Sequence, residues 1–135
     1  MKLPVEEMKV SQDRPAAVEL LRTVREFVDS VRPKLAGEDQ YHAVVAAYLL
    51  GILERELTLG SEFDKQEEFE LARFLRTALT PLAELGRGLC EGIRAGLYDD
   101  RFDELIALLL EQTANKVRIV RPDHLDPSHR LPPVG

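Results

Sequence analysis

The chain has 135 residues, 44% of them hydrophobic and 31% charged, with a formal net charge of −6. That suffices for one domain with a buried core, is too apolar for a disordered chain, and offers no electrostatic attraction to nucleic acid or an anionic membrane. A single cysteine excludes an internal disulfide and a cysteine-based zinc site.

Residues 1–12 read as a loose arm with Pro4 and mixed charge. MKLPVEEMKV lacks the apolar run of a signal peptide, and the longest apolar stretch, Ala43 to Leu53, is too short to span a bilayer. A soluble, cytoplasmic protein is therefore expected. Asp13 suits a helix N-cap and Pro15 the first turn. From there Ala17, Leu20, Leu21, Val24, Phe27, Val28 and Val31 recur at three- and four-residue steps, predicting a first helix that ends or kinks at Pro33.

QYHAVVAAYLLGILERE, residues 40–56, predicts a second helix that is apolar almost all round. At about 100° per residue, His42, Val45, Ala46, Leu49, Leu53 and Glu56 share one face. Tyr41, Val44, Tyr48 and Ile52 make another, so this helix is expected at the centre of the domain. Gly60 is read as the left-handed stop, and Ser61 with Asp64 as the capping pattern of a third helix running to about Thr80. That helix should bury Leu71, Phe74, Leu75, Ala78 and Leu79.

Pro81 marks the next boundary. The fourth helix carries Leu82, Leu85, Gly86, Leu89, Cys90, Ile93 and Leu97 as its buried stripe, with Gly96 and Tyr98-Asp99-Asp100 as its end. The fifth runs from about Asp103 to Val120 through Leu105, Ile106, Leu109, Thr113 and Val117; Lys116, Arg118 and Arg121 offset the dipole at its end. Residues 122–135, with four prolines, are expected to be extended and either disordered or laid over the bundle or a partner. The whole predicts an all-α fold, a five-helix antiparallel bundle over 13–121 with the second helix central.

No pattern for covalent or metal chemistry stands out. Cys90 lies on the predicted buried stripe, where a thiol acts as a small apolar group. Gly86-Arg87-Gly88 lacks the Lys-Ser or Lys-Thr of a phosphate loop. His42 and Glu56 are fourteen residues apart, roughly 21 Å of helix at 1.5 Å per residue, and cannot hold one ion. His42 is expected to be a partly buried, hydrogen-bonded imidazole, and Glu56 to meet Arg25 across the first helix pair. The sharper alternative makes Glu54, Arg55 and Glu56 a surface for a partner protein, and gives Arg94, with Arg87, to a phosphate-bearing ligand. No cofactor or metal is predicted, and no enzyme.

RPAAVELLRTVREFV, YHAVVAAYLLGILERELTLG and LCEGIRAGLYDD form an ordered set that resembles a family of small bacterial all-helical proteins of unknown function. Arg14-Pro15, Glu19-Leu20-Leu21, Glu26-Phe27, His42, Glu54-Arg55-Glu56-Leu57, Gly60 and Ile93-Arg94-Ala95-Gly96 carry the resemblance, which covers about residues 13–121. Genes of that family lie beside an acyl-CoA dehydrogenase and an aminoglycoside-phosphotransferase-like kinase. The resemblance therefore implies a non-catalytic accessory subunit of that kinase, acting on hydroxyacyl-CoA in acyl-CoA catabolism, with the dehydrogenase as a second possible partner. The alternative is a stand-alone helical module holding an acyl chain or CoA-like ligand near His42, Glu56 and Arg94. A homodimer through the second helix or the small-residue face of the fourth is also compatible with the pattern.

Overall fold

The computed structural model describes residues 16–132. Among them there is no strand, and the all-α expectation holds. The helical segments are α1 (Ala17–Val31), α2 (Gly37–Arg55), α3 (Ser61–Leu75), α4 (Leu82–Arg94) and α5 (Phe102–Val120). A 3-10 turn, Arg32–Lys34, prolongs α1 through Pro33, and a π-turn, Glu56–Gly60, joins α2 to α3 without a break. The five expected helices are thus four joined ones. The predicted arm 1–12, and the start signals Asp13 and Pro15, lie outside the described residues.

The missing break has a simple cause. A glycine stops a helix when it takes a positive φ, and Gly60 instead has φ −58° and ψ −48°. Its smallness serves burial, not handedness. Ser61 caps nothing. The rod ends later, at Arg76, which takes the left-handed conformation with φ 56° while Thr77 N–H donates to the Ala72 carbonyl at 3.1 Å. Helix therefore stops five residues short of Thr80, and Ala78 and Leu79 are exposed where burial is expected.

The chain divides into two compact units, one through Thr58 and one from Leu59 onward. In the first, α1 and α2 form an antiparallel hairpin. At its N-terminal end α1 is closed by the Glu19 carboxylate, which accepts the Ala16 N–H at 3.0 Å. The buried residues of α2 are all small: Ala43, Ala47 and Gly51, four residues apart. This strip lets the helices approach closely, and it is bordered by one ion pair. Arg25 Nε and Nη2 both reach Glu54 Oε2 at 3.1 Å, while Glu54 Oε1 is buried and unpartnered. Arg25→Ala would leave the whole carboxylate without a donor and is expected to cost about 1.5–3 kcal/mol in urea unfolding, with Glu54→Gln/Arg25→Ala recovering much of the loss. Equal losses in the single and double variants would contradict the pairing.

The second unit has the larger core: Leu71, Ala72, Phe74, Leu85, Leu89 and Leu105. Tyr98 stands edge-on to Phe74, ring centroids 5.0 Å apart, and the Arg101 guanidinium stacks over the Phe74 ring, 4.1 Å from its centroid. Arg101 Nη1 also donates to the Phe74 carbonyl at 3.0 Å, satisfying an acceptor in the last turn of α3. The stripe of α4 is rotated from expectation: Leu85, Leu89 and Gly92 are buried, and Cys90 is exposed. The cause is the glycines, since Leu75 lies over Gly88 and Tyr98 over Gly92. Neighbours settle where α4 has least side chain.

The proline-rich tail is not simply extended. Pro122 and Pro127 each begin a 3-10 turn, Pro122–His124 and Pro127–His129, using the φ that proline already has. Asp126 accepts from the Ser128 N–H at 3.0 Å and its hydroxyl at 2.8 Å, which hold its carboxyl below the usual carboxylate range. Arg118 fastens the tail to α5, donating to the His129 carbonyl at 3.0 Å, to Asn115 Oδ1 at 2.6 Å and to Glu111 at 3.0 Å.

Candidate functional site

The residues singled out from the sequence do not converge. His42, near the start of α2, is exposed, not half-buried; its ring is tilted against Tyr41 with centroids 6.0 Å apart. Glu56 is exposed at the head of the π-turn. The partner of Arg25 is Glu54 instead, because the α2 face that meets α1 runs through Ala43, Ala47, Gly51 and Glu54, and Glu56 lies about 160° away from Glu54 at 200° over two steps. Arg55 folds back along its own helix, its Nη1 lying 3.3 Å from where a β-carbon on Gly51 would be. Arg94 is exposed in the last turn of α4, in the other unit.

A groove in the first unit is lined by Arg32, Pro33, Gly37, Gln40, Tyr41 and Val44. It is open to solvent and takes in none of His42, Glu56 or Arg94. No group of three or more His, Cys, Asp or Glu side chains capable of holding a metal occurs among the described residues. No helix among them is long and apolar enough to cross a membrane.

What the geometry does assemble is apolar surface. The second helix is not an inner rod: Tyr41 is 67% exposed, Leu49 53% and Leu53 48%. On α1 the stripe Leu20, Val24 and Phe27 faces outward, with Phe27 at 65%. In the second unit Ile93 is exposed in the last turn of α4 and Leu97 in the turn that follows, and Phe102, Ile106 and Leu110 are exposed on α5. Single exposed hydrophobics are ordinary, whereas rows at helical spacing mark contact surfaces.

Sequence reasoning passed over Gln112 and Asn115, which are buried on α5 at 7% exposure, and over Arg101. The first two share the spacing Leu105, Leu108, Gln112, Asn115, Ile119, a three–four stripe that polarity hid. Arg101 follows two aspartates in a turn and carries no local signal of its reach to Phe74.

Residues 33–124 match the family described as Domain of unknown function (DUF6285). The chain belongs to this family. The match begins after α1, so the Arg14-Pro15, Glu19-Leu20-Leu21 and Glu26-Phe27 fragments lie outside the DUF6285 segment, while Glu54-Arg55-Glu56-Leu57 and Ile93-Arg94-Ala95-Gly96 lie within it. No curated protein and no solved structure matches the chain.

Proposed function

We propose that this DUF6285 chain is a non-catalytic, cytoplasmic accessory subunit of an aminoglycoside-phosphotransferase-like kinase that acts on hydroxyacyl-CoA, in a pathway shared with an acyl-CoA dehydrogenase. Kinase, substrate and pathway come from the resemblance of the sequence to a family with those gene neighbours. The observation that carries the interaction half of the proposal is the outside of α4. There Arg94 and Ile93, 41% exposed, close the last turn of α4, and Leu97, 65% exposed, follows in the turn beyond it. An exposed arginine and two exposed large apolar residues within five positions have the composition of an interface hot spot.

The test is to purify the full chain from its own cells and identify what accompanies it, then to assay the kinase with and without it. Co-elution and a fall in turnover on removal are expected. Leu97→Asp should weaken the complex at least tenfold, roughly the 1.4 kcal/mol of one hot-spot contact, with helix content unchanged. A kinase that neither co-elutes nor slows would dispose of the proposal.

A further inference from the structure

We infer that the π-turn Glu56–Gly60 is a two-state joint, which passes between the unbroken helix and a broken form in which Gly60 ends one helix and Ser61 begins the next. The inference does not depend on the kinase reading. It starts from where the turn lies. A run of π geometry between α-helices is rare and frequently marks a functional position. Here it occupies five residues, and the point at which the chain divides into its compact units, between Thr58 and Leu59, falls inside it.

The residues of the joint suit helix ends that the unbroken form does not use. A stop needs a residue that enters the left-handed region without strain; Gly60 can, although here it has φ −58° and ψ −48°. A start is favoured by a side-chain oxygen that accepts the N–H three residues on. Ser61 stands three before Asp64, although in the unbroken form it makes no cap. Glu62 and Asp64 then fill a first turn, where negative charge offsets the helix dipole. Before the break the charges oppose each other, since Arg55 suits a helix end and Glu56 does not. The signal for breaking lies in Gly60, Ser61 and the acidic turn after them.

The change of form is a transfer of hydrogen bonds. Turning Gly60 to positive φ takes the carbonyl acceptors away from the first N–H groups of α3. The Ser61 hydroxyl then accepts the Asp64 N–H, and the Ser61 N–H closes on the Glu56 carbonyl as in a glycine-ended helix. The remaining groups open to water, because Glu56, Leu57, Thr58, Ser61 and Glu62 are exposed. Little packing is lost at the joint itself, where Gly60 alone of residues 56–62 is buried. One residue thus absorbs the backbone change, as a hinge requires.

The test is relaxation-dispersion NMR of the full chain, which reads the microsecond-to-millisecond range of helix rearrangements. Exchange confined to about residues 56–64 is expected, with a minor form on the order of 1%. Gly60→Ala, which penalises the left-handed stop, should lower that population roughly fivefold, and Ser61→Ala, which removes the cap, about fivefold. Should Gly60→Ala fail to fold because Gly60 is buried, the exposed Ser61 carries the test. Thr58→Ala raises helix propensity inside the turn at a residue that is helical in both forms, and should leave the population unchanged. If the minor form is too rare for dispersion, hydrogen exchange gives the readout: joint amides exchanging at least about tenfold faster than those of Leu71 and Ala72, and slowed by Ser61→Ala. Joint amides that show no dispersion and exchange as slowly as Leu71 and Ala72 overturn the inference. So does an opening that Thr58→Ala suppresses as strongly as Ser61→Ala, which is fraying and not a capped second form.

Discussion

Leu71→Ala is expected to destabilise the chain by about 3–5 kcal/mol in urea unfolding, the range for a fully enclosed leucine whose surroundings cannot collapse. Leu71 is 1% exposed, the most deeply buried large side chain among the described residues, and it lies within the cluster that α3, α4 and α5 share. Truncation opens a cavity in a cluster to which all three helices contribute. Leu110→Ala on the outside of α5, 64% exposed, removes the same atoms and should change stability by less than about 0.5 kcal/mol. Comparable losses at the two positions would show that α5 presents a different face to the core.

The second large effect concerns a residue with no side chain. A β-carbon on Gly92 would overlap the hydroxyl and ring of Tyr98. Gly92→Ala must therefore push out the ring that stands edge-on to Phe74, and a net loss of about 1–3 kcal/mol is expected for such overpacking. The sign should reverse once the ring is gone. In a Tyr98→Ala background Gly92→Ala gains up to about 1 kcal/mol from helix propensity alone. A loss of the same size in both backgrounds would mean that Tyr98 does not occupy this place.

These two residues mark the limit of what the sequence could convey. Helical periodicity located α1, α4 and α5 closely, because period and proline positions are local properties. It failed at Gly60, where the residue type allowed a stop and the backbone kept its right-handed course. It failed again on α4: the apolar stripe Leu82 to Leu97 is real, yet the glycines at 88 and 92 drew Leu75 and Tyr98 onto a neighbouring face and left Cys90, Ile93 and Leu97 outside. Glycine carries no hydropathy signal, so a pattern of apolar residues cannot register it as the place of closest packing. The error over α2 is of another kind. A helix apolar all round needs neighbours on several sides, but the pattern does not say whether they belong to the same chain.

The same distinction governs the candidate site. Glu54 was legible as a member of a polar group and not as the ion-pair partner of Arg25, since that assignment depends on which face of α2 meets α1. Arg94 was legible as exposed charge; the exposure of Ile93 and Leu97 near it in sequence emerged only with the rotation of α4.

The claim on which the account turns is that Leu53 of α2, 48% exposed, is a surface residue of the folded chain and not part of an inner rod. Thiol labelling of Leu53→Cys in a Cys90→Ser background tests it most directly, with Leu85→Cys as the enclosed reference at 2% exposure. The account predicts fast labelling at position 53 and slow labelling at 85. Protection of position 53 equal to that of 85 in a dilute, folded monomer would contradict it.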